Sequence, residues 1–364
     1  MTDRKNFLPT ATLENLKKRA ALLESLRLFF RQHDFLEVQT PILSADTVVD
    51  RYLEPFQIVT QSAPDFSPQK GAAPPSARRY LQTSPEFGMK RLLIGGLEKI
   101  YQITHAFRQD ETGPLHNSEF TMVEWYRCGD DQQAAIDLLA DLTQNLLNKE
   151  VQQTTYADLF LKHIGLNPHV ATVDQLKEAT TSYAIPDYLL APSPQKISST
   201  LSTGHQNKTE GDDGQKEDWL NWIFAELIQN KLGRERPLIV NDYPACQAAL
   251  ARTAKQTFQE EDGKPKIITE VAERFELFVD GIELANGYHE LLDPEVLAMR
   301  NERVNDFREL DGRERLPEES YLLQGMKAGL PPCSGVALGF DRLAMVAFGL
   351  STISEILPFP DGRA

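Results

Sequence analysis

Residues 119–128 read EFTMVEWYRC, and residues 99–108 read KIYQITHAFR. Each is rich in β-branched and aromatic residues, and the polar stretch QDETGPLHNS joins them. That pattern predicts an antiparallel pair of strands. In the second strand Met122, Glu124 and Tyr126 fall on one face, and Val123 and Trp125 on the other. The Val123/Trp125 face suits a core, so Glu124 and Tyr126 are expected to face a cleft. Arg108 ends the first strand beside the same loop. A held guanidinium near a carboxylate and a phenol can clamp a carboxylate or phosphate bidentately. An ordinary Arg–Glu pair fits the same residues.

Working outward, Phe275 to Val279, Asp280-Gly281 and Ile282 to Ala285 form a hairpin signal, because Asp-Gly suits a type I′ turn. A two-residue turn sets Phe278 opposite Glu283 and makes Glu276 the diagonal neighbour of Glu283 on one face. Two carboxylates so placed repel each other unless a cation lies between them. Hard oxygen ligands of this kind suit Mg²⁺ bridging to nucleotide phosphates. A solvated face carrying two scattered acids fits equally well. Further on, Val336 to Phe340 reads as a strand, and DRLAMVAFG from Asp341 as a helix. Gly339 lets a ligand approach the backbone. Arg342, a cation at a helix N-terminus, conflicts with the dipole and points to an anionic partner such as phosphate, or to one of the chain's many acids.

The rest supplies a frame. Residues 11–33 read as an amphipathic helix, with Leu13, Leu16, Ala20, Leu23 and Phe30 at helical spacing. A short strand, Phe35 to Gln39, is expected to stop at Thr40-Pro41, since proline cannot donate to a ladder. Residues 130–149 read as a helix with Ile136, Leu139, Leu142 and Leu146 on one stripe. Two stretches, 61–79 and 192–217, are low in complexity and read as mobile loop insertions.

Composition excludes several classes. The 364 residues are 41% hydrophobic and 25% charged, ordinary for a folded enzyme. Lys and Arg number 38 against 53 Asp and Glu, a net charge of −15. Such a balance disfavours general nucleic-acid binding, which draws on phosphate neutralisation. No apolar run approaches the ~18 residues of a membrane span, and MTDRKNFLPT lacks a signal-peptide core. Cys128, Cys246 and Cys333 are too few for a disulfide framework, suit a reducing cytoplasm, and are expected to be buried or structural. His105, His116 and His289 lack metal-cluster spacing. No Walker lysine loop, GxGxxG or GxSxG is present.

The pieces resemble the catalytic core of a class II aminoacyl-tRNA synthetase, in that family's order. FLEVQTP at 35–41 resembles motif 1, with Pro41 as its proline. FRQDE at 107–111 with HNSEFTMVEWY at 116–126 resembles motif 2, and GVALGFDRL at 335–343 resembles motif 3. TSPEFGMKRLLIGG at 83–96 and GIELANGYHEL at 281–291 narrow the likeness to the lysyl branch. About 30 residues precede motif 1, where an anticodon-reading domain would need ~100. A lysyl core without that domain is similar to the elongation factor P–(R)-β-lysine ligase family. HNSEFTMVEWYR, ELANGYHEL and PPCSGVALGFDRL carry that likeness.

The resemblance implies an α+β class II synthetase core, a single domain over 1–364, in which an antiparallel sheet is flanked by helices and no anticodon-binding domain is present. It implies ATP-dependent activation of lysine, preferably (R)-β-lysine, and its transfer to a lysine side chain of elongation factor P. It implies ATP and Mg²⁺, a homodimer through motif 1, a cytoplasmic location, no membrane, and an acceptor other than tRNA. That protein acceptor is acidic, so docking calls for a local basic patch.

By the same resemblance Ser84, Pro85 and Glu86 line the substrate amine site with Glu124, and Tyr126 and Glu290 receive the distal amine. Arg108, Gln109 and Asp110 stand where the family holds the α-phosphate and adenine side of ATP; the family usually has Asn and Glu at the last two places, and Glu111 stands next in line. Asn117 contacts nucleotide, Glu283 and Leu284 lie by ATP, and Glu276 and Glu283 are the Mg²⁺ ligands. Gly339 and Arg342 hold the adenine and γ-phosphate region; Arg108 and Arg342 are the catalytic pair. Asn286 would hold the substrate carboxylate, but an ideal hairpin turns it away from Glu283, so the reading requires a β-bulge near Gly287. Ala337 stands where lysyl-tRNA synthetases tend to have Gly, and its methyl group reshapes the pocket toward a β-amino acid. The alternatives are a truncated lysyl-tRNA synthetase paralogue acting on tRNA or free amines, and a non-catalytic regulatory protein on the same fold.

Overall fold

The computed structural model describes residues 7–59, 78–190, 210–258 and 267–364. The chain forms two compact units, one of residues 1–148 and 292–364, the other of residues 149–291.

The first unit opens with α1 (Leu13–Gln32), started by the Thr12 side chain accepting from the Asn15 amide. Leu22, Leu26, Phe29 and Phe30 are its buried stripe, at the i, i+4, i+7 spacing that one helix face requires. Next come β1 (Leu36–Glu37), β2 (Leu43–Ser44), β3 (Gln57–Val59), β4 (Arg78–Leu81), α2 (Glu86–Ile94), β5 (Lys99–Phe107), β6 (Glu119–Cys128) and α3 (Gln132–Leu147). The strand expected over 35–39 is thus only two residues long, and it pairs parallel to β5 through Leu36 and Ile100. β5 and β6 pair antiparallel along their whole length, as their alternation predicts. Phe30 stacks on Tyr101 of β5 at 4.4 Å and lies 5.3 Å from Trp125 of β6. The Val123/Trp125 face is therefore closed by α1.

Most of the 61–79 stretch lies outside the described residues, but Arg78 and Arg79 belong to β4 and not to a loop. β4 sits between β2 and β3 in a separate three-stranded sheet.

The second unit carries β7 (Gln152–Thr155), α4 (Tyr156–Ile164), α5 (Val173–Ala179), α6 (Asp187–Leu190), α7 (Glu210–Ile223), β8 (Leu238–Pro244), β9 (Thr253–Phe258), β10 (Ile267–Val279) and β11 (Ile282–His289). β10 is its spine: it pairs antiparallel with β8, with β9 and with β11. The expected loop over 192–217 is corrected at its end, because α7 begins at Glu210. Trp219, Leu220 and Ile223 are fully buried with Tyr156, Phe160 and Phe224. That packing sustains a helix whose polar first turns have little stabilising pattern of their own. Residues 192–209 lie outside the described residues.

The chain returns to the first unit with α8 (Pro294–Leu310), α9 (Tyr321–Gly329), β12 (Cys333–Gly339) and α10 (Phe340–Ala347). β12 pairs antiparallel with β6. The architecture is α+β, with antiparallel-dominated strands flanked by helices. Among the described residues no helix is long and apolar enough to cross a membrane.

Candidate active site

The first unit holds Ser84, Pro85, Glu86, Glu124 and Tyr126 of the residues assigned to the substrate amine, and Glu290 belongs to the second. Ser84 and Glu86 lie where the chain enters α2, and the Ser84 hydroxyl accepts from the Glu86 amide at 3.1 Å. The same hydroxyl donates to Glu124 Oε2 at 2.7 Å, and Tyr126 donates to Glu124 Oε1 at 2.6 Å. Pro85 stands between them as the N-cap residue of α2. Glu124 and Tyr126 are only 2% and 3% exposed, so the face expected to open on a cleft is buried instead. Burial first, then the nearby Glu86 charge, raises the Glu124 carboxyl to about 7. Lys90, one turn along α2, pairs with Glu86 and is itself buried. Two carboxylates thus share one built-in cation.

Ala337 of β12 is the direct cross-strand partner of Glu124. Cross-strand partners project on one face, so its methyl group borders the carboxylate.

A second cluster surrounds the turn after β5. Arg108 donates to the Thr83 carbonyl at 3.4 Å, lies 5.1 Å over the Phe120 ring, and meets Glu111 at 3.5 Å. These are long contacts, which leave the guanidinium available to an anion. Gln109 and Asp110 are exposed, and Asp110 takes a left-handed φ of 68°. Asn117 is buried, with Nδ2 donating to the Glu119 carbonyl and Oδ1 accepting from the Asp361 amide. Arg342, in the first turn of α10, donates to the Leu115 carbonyl at 3.3 Å. Gly339 caps that helix in extended conformation. Burial, then the positive charges of Arg342 and Arg108, lower His116 from its ordinary value. Both guanidiniums therefore act on the same stretch of the 109–118 turn, which is what a polyanionic ligand needs.

In the second unit the hairpin turn has the positive φ of a type I′ turn at both Asp280 and Gly281. Phe278 pairs with Glu283 as predicted. The register then shifts, so that Leu277 pairs with Ala285 and Glu276 with Asn286. The required bulge exists, but its extra residue is Leu284 and not one near Gly287. It turns Asn286 to the face of Glu276 and Glu283. Asn286 Nδ2 donates to the Tyr288 hydroxyl at 3.1 Å, while its buried Oδ1 has no partner. Gly287 is needed for another reason: a Cβ there would lie 2.3 Å from the Phe275 ring.

Glu276 accepts from Tyr243 at 2.6 Å and from Arg274. Each of its oxygens keeps a lone pair, and Glu283 is half-buried on the same face. Two carboxylates completed by phosphate oxygens are a sufficient protein share for Mg²⁺, so the donor set fits. Leu284 is buried, and Glu290 is 1% exposed at the end of the ladder, bridged to Ala251.

Several residues here escaped the sequence reading. Arg308 of α8 is fully buried and donates to Glu54 at 2.7 Å and to the Asp50, Leu53 and Glu314 carbonyls. The Glu54 carbonyl accepts from the Gln109 amide at 2.8 Å. Arg19 of α1 bonds Asp341 and Thr121, which brace the start of α10 against β6. Lys90 could have been suspected from Glu86-x-x-x-Lys90, an i,i+4 pair on a predicted helix. The other links join residues far apart in sequence and leave no local pattern.

The family profile described as tRNA synthetases class II (D, K and N) matches residues 7–363. A protein of Yersinia enterocolitica named elongation factor P–(R)-β-lysine ligase is 38% identical over the full length of both chains. Proteins of the same name from Vibrio parahaemolyticus and Salmonella arizonae are 37% identical, over 98% of each chain, and 35% identical, over 100% of each. The chain belongs to the elongation factor P–(R)-β-lysine ligase family of class II synthetase-like proteins.

Proposed function

We propose that this protein is an ATP-dependent ligase that activates (R)-β-lysine, or lysine, as its adenylate and transfers it to a lysine side chain of elongation factor P. The observation that carries the reading is the buried Glu124 carboxyl, held by Ser84 and Tyr126 beside Ala337. Lys90 balances one of the two carboxylates there, and a substrate ammonium would balance the other. The distal amine would thus meet Glu124 and Tyr126, with Ser84, Pro85 and Glu86 shaping the wall; for Glu290 the amine role is the one that the family resemblance implies. For Asn286 the carboxylate-binding role is the one that the resemblance implies; its buried Oδ1 lacks a partner, so its amide is free to turn a donor outward.

The substrate carboxylate attacks the α-phosphorus in line. Arg108 faces the charge that develops on the α-phosphoryl oxygens, and Arg342 with Gly339 holds the γ-phosphate and adenine region. Gln109, Asp110, Asn117 and Leu284 border the nucleotide. Glu276 and Glu283 would hold Mg²⁺, which supplies charge neutralisation on the phosphates when bound. Pyrophosphate leaves; the acceptor lysine then attacks the adenylate carbonyl carbon as its neutral amine, the amide bond forms as the acyl–phosphate bond breaks, AMP leaves, and the amine proton passes to solvent.

The reading treats both units as one synthetase-like core, active in the cytoplasm where its translation-factor acceptor is found. It pairs two copies through motif 1, where Leu36, Ile42 and Leu43 are exposed around Pro41. The −15 net charge weighs against tRNA as acceptor.

Lysine-dependent exchange of pyrophosphate into ATP tests the first half-reaction. The wild-type chain should exchange with β-lysine more readily than with α-lysine, and Arg108→Ala should abolish exchange. No exchange with either isomer overturns the ligase reading.

A further inference from the structure

Cys128 closes β6 and Cys333 opens β12, and the two are direct partners in the ladder. The Gly129 amide donates to the Pro332 carbonyl at 2.8 Å, so the next pair inward, Cys128 and Cys333, is a non-hydrogen-bonded pair. Partners of that kind have Cα atoms about 4.5 Å apart and the closest side chains in a sheet. A disulfide spans Cα separations of about 4.4–6.8 Å. The two thiols can therefore join with little backbone movement.

Their place in the ladder gives the bond a consequence. Two residues inward on the same face stand Tyr126 and Gly335, and two further inward stand Glu124 and Ala337. The cysteines end the row that carries the amine pocket. Of the three cysteines expected to be buried or structural, Cys333 is fully buried, while Cys128 beside it and Cys246 are partly exposed.

We propose that Cys128 and Cys333 are a dithiol modification site, which a low-molecular-weight disulfide oxidises to a cross-strand disulfide that alters substrate binding at the amine pocket. In the first step the Cys128 thiolate attacks the small disulfide, forming a mixed disulfide and releasing one small thiolate. In the second the Cys333 thiolate attacks the Cys128 sulfur, the cross-strand bond forms, and the second small thiolate leaves. The two protein thiol protons go to solvent or to the released thiolates, and the small disulfide is the species reduced. Burial, then Glu98 and Asp130, raises the Cys128 thiol from its ordinary value. That slows attack near neutrality and favours it in mild alkali. The effect on substrate rests on the proposed function; the bond itself does not.

The test treats the full chain with oxidised glutathione at mildly alkaline pH, alkylates remaining thiols, and maps unreduced peptides by mass spectrometry. The expected product links the Cys128 and Cys333 peptides, two hydrogens below their sum, and dithiothreitol releases it. Cys128→Ser and Cys333→Ser should each remove it. Recovery of both cysteines alkylated, Cys128 as a glutathione adduct alone, or a link through Cys246 overturns the site. In pyrophosphate exchange, oxidation should raise the lysine KM roughly tenfold, since misplacing a positioned group by about 1 Å costs up to about 100-fold. The ATP KM should not move, and Cys128→Ser should be insensitive to the oxidant. A linked protein with unchanged lysine KM overturns the effect on substrate. Absence of exchange by the reduced wild type would instead overturn the ligase reading, while the peptide map still decides the site.

Discussion

Ala337 stands directly opposite Glu124 across the β6–β12 ladder. One methyl group therefore borders the carboxyl assigned to the substrate's distal amine. Replacing it changes pocket volume without touching charge, and a change of methylene size discriminates by about 1–3 kcal/mol. Ala337→Gly should lower the ratio of kcat/KM for β-lysine over α-lysine by about 10-fold or more. Pyrophosphate exchange with each isomer measures it. An unchanged ratio would remove Ala337 from the account of specificity.

Glu124 should make the ligand-free protein less stable as pH rises. Its carboxyl is raised to about 7 in the fold, against an ordinary value near 4.5. Between these values the unfolded chain gives up its proton while the folded one keeps it. Its stabilising contribution is complete below about 4.5 and is lost as pH climbs through 7. Glu124→Gln removes the titration, so the gap in thermal midpoint between variant and wild type should move in the variant's favour from pH 5 to pH 8. The variant should also lose lysine-dependent exchange. A gap that does not change with pH would mean that Glu124 is ionised throughout.

The β5–β6 pair, the 280–281 turn, and the helices around residues 13–32 and 132–147 were all legible in the sequence, because each rests on local periodicity or turn chemistry. The bulge at Leu284 could be required by function but not located, since a register shift follows from packing across strands. Residues 210–217 were missed because their helix is held by Trp219, Leu220 and Ile223 packing on distant aromatics. The charged residues behind the site were least visible. Arg308 and Glu54 lie 254 positions apart, and no spacing rule connects them.

That pair should be costly to break. Arg308 is fully buried and Glu54 about one-fifth exposed, so Glu54→Ala leaves a guanidinium without its counter-charge. The expected loss is about 3 kcal/mol in urea unfolding. Amide exchange at Gln109 should quicken as well, because the Glu54 carbonyl, held in place by the Arg308 pair, is its acceptor in an isolated bridge. A loss below about 1 kcal/mol, the scale of a surface pair, would contradict this.

Gly287 should tolerate no side chain while Phe275 is present. A Cβ would meet the ring at 2.3 Å, and overpacking of this kind costs about 1–3 kcal/mol. Gly287→Ala should be destabilised by that amount, and Phe275→Leu in the same chain should recover part of it. If the double variant is no more stable than the sum of the single losses predicts, the clash is not the cause.

The most direct test of the account is the mass of the acceptor. Purified protein with ATP, Mg²⁺ and (R)-β-lysine is given elongation factor P in one reaction and tRNA in another, and each acceptor is weighed. The account predicts one lysyl-sized gain on a lysine of elongation factor P and none on tRNA. A gain on tRNA with unmodified elongation factor P would contradict it.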